Sequence, residues 1–390
     1  MTLPPIELGA VQRIVAEARR LEAAGQDVVR LDIGEPDFPT PPHIIEAGVR
    51  ALRDGETRYV APAGLPTLRA AVASSVAARG IVATPEQVVI TAGARAMLWY
   101  ALLALVRAGD DVLVPDPGYP GYATAIRLAG GTPVPYAMRC DDGRFWLDAD
   151  ALRAAITPCT RVLVVNAPQN PTGAVLDSAA LAAIASVAQA HDLWVVSDEI
   201  YSSLCHDAAP APSIASLPEM ATRTVLVDGF SKTYAMTGWR LGYGVMPVAI
   251  AATVTSLVSE CATCTPAFVQ HAGIAALAGP HDAVSAMRAA YGARTRLLAN
   301  ALRAIGLVAA PPAGAFYVFA DASPLLADGL TTTSLADTLL REHGVACVPG
   351  SAYGARGAAC LRFACTTSEA RLAMAVARIA RAAAARAVAA

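Results

Sequence analysis

The sequence predicts an α/β fold, a mostly parallel, doubly wound sheet covered by helices on both faces. Three observations lead there. Short β-branched runs alternate with longer Ala- and Leu-rich stretches through the middle of the chain, the pattern of repeated strand–helix units. Both ends break that alternation. The chain has 390 residues, and at roughly 150 per domain that makes about two domains, each with its own core.

The elements follow in chain order. The first 45 residues hold a helix over Val11–Ala24 and then the Pro-rich segment Gly34–Pro42. Val88–Thr91 is wholly β-branched and reads as a strand, followed by an Ala/Leu-rich helix over Ala96–Arg107. Further strands are expected at Asp111–Pro115, Arg161–Asn166, Leu193–Asp198, Thr224–Gly229 and Gly242–Met246, with helices at Tyr119–Leu128, Ser178–His191 and Ala283–Ile305. The last 85 residues hold strands at Ala315–Phe319 and Cys360–Ala364 and two helices. The Ala-rich tail after Arg381 reads as helix or as a frayed end. No repeat of fixed period is visible.

Composition excludes several classes. A net charge of −2 and a pI near 6.3 provide no electrostatic basis for nucleic-acid binding. With 16% charged and 55% hydrophobic residues, the chain is not disordered. Its mean hydropathy of +0.45 raises the membrane question. Leu241–His281 carries one formal charge, Glu260, but Pro247, Pro266 and Gly273 interrupt it. No apolar run approaches the roughly 18 residues of a span. Met1–Ala10 lacks a basic and an apolar region, so no signal peptide is expected. The expectation is a soluble cytoplasmic protein whose eight cysteines are reduced thiols. Cys261 and Cys264 have C-x-x-C spacing with only His271 close by. They read as small buried residues, and no metal site is expected. Neither H-E-x-x-H nor G-x-S-x-G occurs.

In an open α/β sheet, ligands bind at the carboxyl ends of the strands. Those ends deliver Thr91-Ala-Gly93-Ala94-Arg95, Pro117-Gly-Tyr119, Asn170-Pro-Thr-Gly173, Asp198-Glu-Ile-Tyr201 and Phe230-Ser231-Lys232, with Arg240 beyond. Lys232 is the only lysine among 30 basic residues, and the other 29 are arginine. Arginine stays protonated. A desolvated lysine loses its proton and attacks carbonyls to form a Schiff base. The Gly93–Arg95 turn opens a helix and offers backbone N–H groups to a phosphate, with Ser231 and Arg240 as further donors. Asp198 ends an apolar strand, where a carboxylate needs a partner. A pyridinium nitrogen would serve, and a helix N-cap is the alternative. Tyr201 and Asn170 suit a phenolate oxygen, or are a core tyrosine and a turn residue. Tyr119 suits stacking on a flat ring. Together these groups describe pyridoxal 5′-phosphate.

Here the chain resembles the class I/II aminotransferases, pyridoxal-phosphate enzymes of fold type I related to aspartate aminotransferase. The likeness runs through Leu31-Asp-Ile-Gly-Glu-Pro-Asp-Phe38, Tyr59-Val-Ala-Pro-Ala-Gly64 with Leu68-Arg69, and Asn170-Pro-Thr-Gly173. It continues through Asp198-Glu-Ile-Tyr201, Ser231-Lys-Thr-Tyr-Ala-Met-Thr-Gly-Trp-Arg240, Pro349-Gly350 and Leu361-Arg362-Phe363. The resemblance implies a seven-stranded-type sheet in a large domain (46–290) and a smaller α+β domain (1–45 and 291–390) that closes over substrate. It implies that Lys232 carries the cofactor as a Schiff base and shuttles a proton. Asp198 would bond the ring nitrogen, Asn170 and Tyr201 the ring oxygen, and Tyr119 would stack. Ser231, Arg240 and the amides of Gly93, Ala94 and Arg95 would hold the phosphate. Arg362 would grip the substrate carboxylate beside the backbone of Gly34. Tyr59 would reach the neighbouring active site of a homodimer.

The implied reaction moves an amino group between an L-amino acid and a 2-oxo acid, with aspartate or aromatic and broad-range donors. Arg95 falls where some relatives read an acidic side chain, and is otherwise a solvated first-turn arginine. A C–S β-lyase on the same scaffold is the alternative activity. A cofactor-sensing DNA-binding regulator is the third, and the charge balance argues against it.

Overall fold

The computed structural model describes residues 9–207, 210–326 and 329–389. Its centre is an eight-stranded sheet. From edge to edge the strands are Val88–Thr91, Gly242–Val245, Thr224–Gly229, Trp194–Asp198, Thr160–Asn166, Asp111–Asp116, Thr132–Asp141 and Arg144–Leu147. The five from Thr224–Gly229 to Thr132–Asp141 run parallel, while Gly242–Val245 is antiparallel to both its neighbours. Successive residues face opposite sides. Val112, Val114, Val162, Val164, Val196 and Val225 join one apolar cluster, and Leu113, Leu163, Val165 and Val195 join another. A strand buried on both faces has no polar side, which is why these runs read as continuously apolar.

The expected seven strands are joined by an eighth. Arg144–Leu147 folds back on Met138–Asp141 through the two-residue turn Asp142–Gly143, where both residues have positive φ (47° and 80°). Asp-Gly is a favoured pair for such a turn. The partner strand Thr132–Asp141 contains Pro133 and Pro135, which hide it from a propensity reading. The hairpin pairs only from Met138 onward, so both prolines lie where one edge of the strand is unpaired.

Prolines also start helices here. Pro42–Arg53 and Pro66–Ala77 carry proline in their first turn. Val248–Ala262 and Ala267–Ala278 follow Pro247 and Pro266 directly. A fixed φ and a missing N–H cost nothing at a helix start. The apolar stretch Leu241–His281 is thus one strand and two helices. No described helix is long and apolar enough to cross a membrane. The helix expected from Tyr119 begins at Gly121, which leaves Tyr119 on the preceding loop.

A second core gathers both ends of the chain. Ile14, Leu21, Val29 and Leu31 pack with Leu298, Leu339, Phe363, Leu372 and Ile379 in one buried cluster. It includes residues of a three-stranded antiparallel sheet (Tyr317–Asp321, Cys360–Ala364 and Val348–Pro349) and of the parallel pair Val29–Arg30 with Val345–Ala346. The tail is helical through Glu369–Ala389.

Gln270 is fully buried in Ala267–Ala278 and pins the loop ahead of Pro66. Its Oε1 accepts from the Leu65 N–H at 2.7 Å, and its Nε2 donates to the Thr265 carbonyl at 2.7 Å. Gln270→Leu should lower stability by about 1–3 kcal/mol, because both backbone groups lose their partner. Urea unfolding with an unchanged m-value is the check.

Candidate active site

The carboxyl ends of the parallel strands open onto a cavity of about 610 Å³. Eleven of the thirteen residues singled out from sequence line it: Gly34, Ala94, Arg95, Tyr119, Asn170, Asp198, Tyr201, Ser231, Lys232, Arg240 and Arg362. Gly93 stands directly behind the wall. Tyr59 does not line this cavity and is 85% exposed.

Lys232 sits on the short helix Phe230–Thr233, which follows the strand Thr224–Gly229 without a loop. Its Nζ donates to the Gly34 carbonyl at 2.7 Å. Burial pushes the amine down to about 8; Glu35 opposes this, and the charges of Arg240, Arg95 and Arg362 reinforce it. A lysine in that range is partly neutral near physiological pH and is therefore nucleophilic.

Asp198 ends its strand buried. Its Oδ2 accepts from the Tyr122 hydroxyl at 2.7 Å, and its Oδ1 from the Ile200 N–H at 3.3 Å. Burial raises its pKa to about 6, against those two hydrogen bonds. Among the described residues no cation lies within ion-pair distance of it. Asn170 is held through its backbone N–H by Asn166 Oδ1 at 2.9 Å, and Asn166 Nδ2 donates to the Asp198 carbonyl at 2.8 Å. Asn166 therefore links two site residues, a part that its place in the sequence did not reveal.

Arg362 is buried in the opposite wall. Its guanidinium lies 4.6 Å from the Tyr317 ring centroid and 5.3 Å from that of Tyr353. It donates to the Asp32 carbonyl, and to Asn170 Oδ1 at 3.4 Å. The Asp32 carboxylate is already engaged by Arg30 through two 2.8 Å contacts. Arg362 Nε is buried with no partner. Tyr317, in turn, bonds the Tyr201 hydroxyl at 2.7 Å. A Cβ on Gly34 would lie 2.0 Å from the Tyr317 hydroxyl, so that position excludes any side chain.

At the other end, the helix Ala94–Leu105 starts with no side-chain cap. Gly93 takes φ of 94°, and a Cβ there would lie 2.4 Å from Arg240 Nη2. Glycine thus lets the guanidinium reach the turn, where it donates to the Thr237 carbonyl at 2.8 Å and the Ala92 carbonyl at 3.3 Å. Uncapped amides, the helix dipole, Arg240 and the nearby Ser231 make an anion-binding corner. Tyr119 lies between that corner and Asp198, edge-on to Tyr122 at 5.3 Å, with the Arg95 guanidinium 5.9 Å from its ring centroid.

Sequence reasoning missed Tyr122, Asn166, Tyr317 and Asp32. Tyr122 alone left a trace: it lies three residues after Tyr119, the spacing that puts two side chains on one face of a turn.

Comparisons with known proteins converge on one family. The family model described as "Aminotransferase class I and II" matches residues 26–379. An aspartate aminotransferase of Geobacillus stearothermophilus is 38% identical, covering 89% of each chain. An aspartate/prephenate aminotransferase of Thermus thermophilus is 40% identical, covering 95% of each. A solved structure of a Thermus thermophilus aspartate aminotransferase single mutant superposes with a TM-score of 0.91 at 38% identity, over 98% of this chain and all of the other.

Because the chain has a single lysine, the one peptide that carries it, separated from the terminal amine by digestion, reports the charge state of that side chain alone. Acylation of Lys232 in the cofactor-free protein, followed by mass at a series of pH values, should be half-maximal near pH 8. A midpoint near the ordinary 10.5 would contradict the buried placement.

Proposed function

The chain belongs to the class I and II aminotransferases and is a transaminase; from that premise we propose that it works with pyridoxal 5′-phosphate held in the cavity described above. One observation carries this reading. A buried carboxylate without a cation, Asp198, shares one cavity with a half-buried lysine of lowered pKa, Lys232. A protonated ring nitrogen would supply the missing cation and a carbonyl the missing electrophile. The unpartnered Arg362 Nε and the uncapped Ala94–Leu105 helix fit a carboxylate and a phosphate in the same way.

When bound, the cofactor supplies an electron sink for the pair released at the substrate Cα. The rest falls to this chain's residues. Asp198, ionised against the ring nitrogen, keeps that sink effective. Asn170 and the Tyr201 hydroxyl hold the ring oxygen, and Tyr119 flanks the ring. Ser231, Arg240 and the amides of Gly93, Ala94 and Arg95 anchor the phosphate, so the ring cannot drift. Arg362 takes the substrate carboxylate in a two-pronged grip, beside the Gly34 backbone. Lys232 anchors the cofactor through its neutral amine. The same amine, when free, would serve as the general base that takes a proton from the substrate Cα and as the acid that returns it.

The substrates of this reading are an L-amino acid, with aspartate or aromatic and broad-range donors, and a 2-oxo acid. The names of the two Thermus and Geobacillus relatives support aspartate, and Arg95 at the cavity wall supports a second carboxylate. Residues 46–290 would form the large domain, and 1–45 with 291–390 the smaller one that closes over substrate. The single cluster joining both chain ends supports that division, and the helix Asp282–Ala304 would run through the boundary as a continuous connector. A homodimer in which Tyr59 reaches the neighbouring site would account for a large aromatic left 85% exposed. Eight free cysteines fit a reducing, cytoplasmic setting.

Loaded enzyme mixed with aspartate and no acceptor should release about one oxaloacetate per site, the half-reaction of a ping-pong enzyme. Lys232→Ala and Lys232→Arg should each lose the visible absorbance of the bound cofactor, and turnover should fall by at least about 10²–10⁴-fold. Substantial activity in the arginine variant would refute the role given to Lys232, since a guanidinium stays protonated.

A further inference from the structure

Outside the cavity lies a buried charge cluster that none of the roles above uses. Arg79, just past the end of the helix Pro66–Ala77, pairs with Glu199, and its Nη1 lies 3.8 Å from Asp228 Oδ2. The three side chains are 11%, 2% and 7% exposed. Two acids share one guanidinium, and every remaining oxygen is engaged. Glu199 Oε1 accepts from the hydroxyls of Ser197 at 2.7 Å and Ser213 at 2.6 Å. Asp228 Oδ2 accepts from Ser202 Oγ at 3.1 Å, and Oδ1 from the Gly229 N–H at 2.6 Å. Arg79 also donates to the Ala211 carbonyl at 3.1 Å.

The neighbours of this cluster in sequence matter. Glu199 follows Asp198, Ser202 follows Tyr201, and Gly229 leads straight into the helix that carries Lys232. The parallel ladder between the two strands ends at the pair Asp198 and Val227. Beyond it one further backbone bond, from the Glu199 N–H to the Val227 carbonyl at 2.8 Å, ties the two turns. The Ser202–Asp228 hydrogen bond and Arg79, which reaches both acids, span the rest of the gap.

We propose that Arg79 is a positioning residue for the reaction: through Glu199 and Asp228 it holds the turn bearing Asp198 and Tyr201 in register with the turn bearing Lys232. A buried ion cluster is a weak source of stability, because apolar residues of the same volume serve as well or better. What it provides is geometry. One planar donor facing two acceptor carboxylates restricts how the two turns can sit, and a misplacement of about 1 Å at reacting groups costs on the order of 10²-fold in rate.

The inference rests on the proposed cofactor-dependent reaction for one arm of its test and is independent of it in the other. In the full cofactor-free chain carrying Arg79→Met, the acylation midpoint of Lys232 should rise from near 8 by about one pH unit, since a loosened turn lets water reach the amine. In the loaded enzyme kcat should fall about 10- to 100-fold, with KM for the amino acid within about twofold, because Arg362 is untouched. Gln270→Leu, destabilised elsewhere, should leave the midpoint in place. If Arg79→Met does not fold, Arg79→Gln keeps a hydrogen-bond donor for one acid without adding a second lysine, and should shift the midpoint the same way by less. A folded variant of either kind with the wild-type midpoint and kcat overturns the proposal, whatever its stability. A wild-type chain that fails to turn over would count against the cofactor reading alone, and the acylation arm would still decide this one.

Discussion

Charge buried at the carboxyl edge of the sheet is the constraint on which the rest of the molecule depends. Asp198 and Arg362 are buried and Lys232 is half-buried, and none has an ion-pair partner among the described residues. Such burial is costly. It persists here because the flanking apolar strands and helices, packed on both faces, over-determine where those strand ends lie. The cost appears as displaced pKa values, down to about 8 for Lys232 and up to about 6 for Asp198. A cationic ligand group would relax the displacement at Asp198 and an electrophile would consume the neutral amine at Lys232, so the cost of burial favours a ligand that is cationic at one point and electrophilic at another.

Close approach is the second constraint. Gly34 admits the Tyr317 hydroxyl, Gly93 admits the Arg240 guanidinium, and Gly242 lets its strand pass the Gly93–Ala94 turn, where a Cβ would lie 2.3 Å from the Ala94 nitrogen. Each contact joins a cavity wall to an element from elsewhere in the chain. Gly34 is the most consequential, because it brings a segment from the first 45 residues against both Lys232 and Tyr317. Movement of that segment would alter the environment of the amine directly.

Pairing elsewhere contrasts with the bare charges of the cavity. Arg30 neutralises Asp32, and Arg79 serves Glu199 and Asp228. Asp32 lines the cavity yet is matched within the chain, as Glu199 and Asp228 are outside it, whereas Lys232, Asp198 and Arg362 are left for a ligand. The distinction follows from solvation: an internal pair repays its desolvation at folding, and an unmatched charge can repay it only on binding.

Much of this was legible without coordinates. The alternation of β-branched and Ala/Leu-rich runs determined the α/β class, because period and branching are local properties. The lone Lys232, the Gly93 turn and Asp198 at the end of an apolar strand marked the site, since strand ends in such sheets converge. Tertiary structure decided the rest. Proline-started helices and the Pro133/Pro135 strand were hidden because proline's meaning depends on which N–H is missing and which edge is paired. Asn166, Tyr122 and Tyr317 take their parts only from residues 4, 76 and 116 positions away. The meeting of Arg79 with Glu199 and Asp228 spans 120 residues to the nearer partner. No local pattern encodes such a contact. It exists only once the strands are laid side by side.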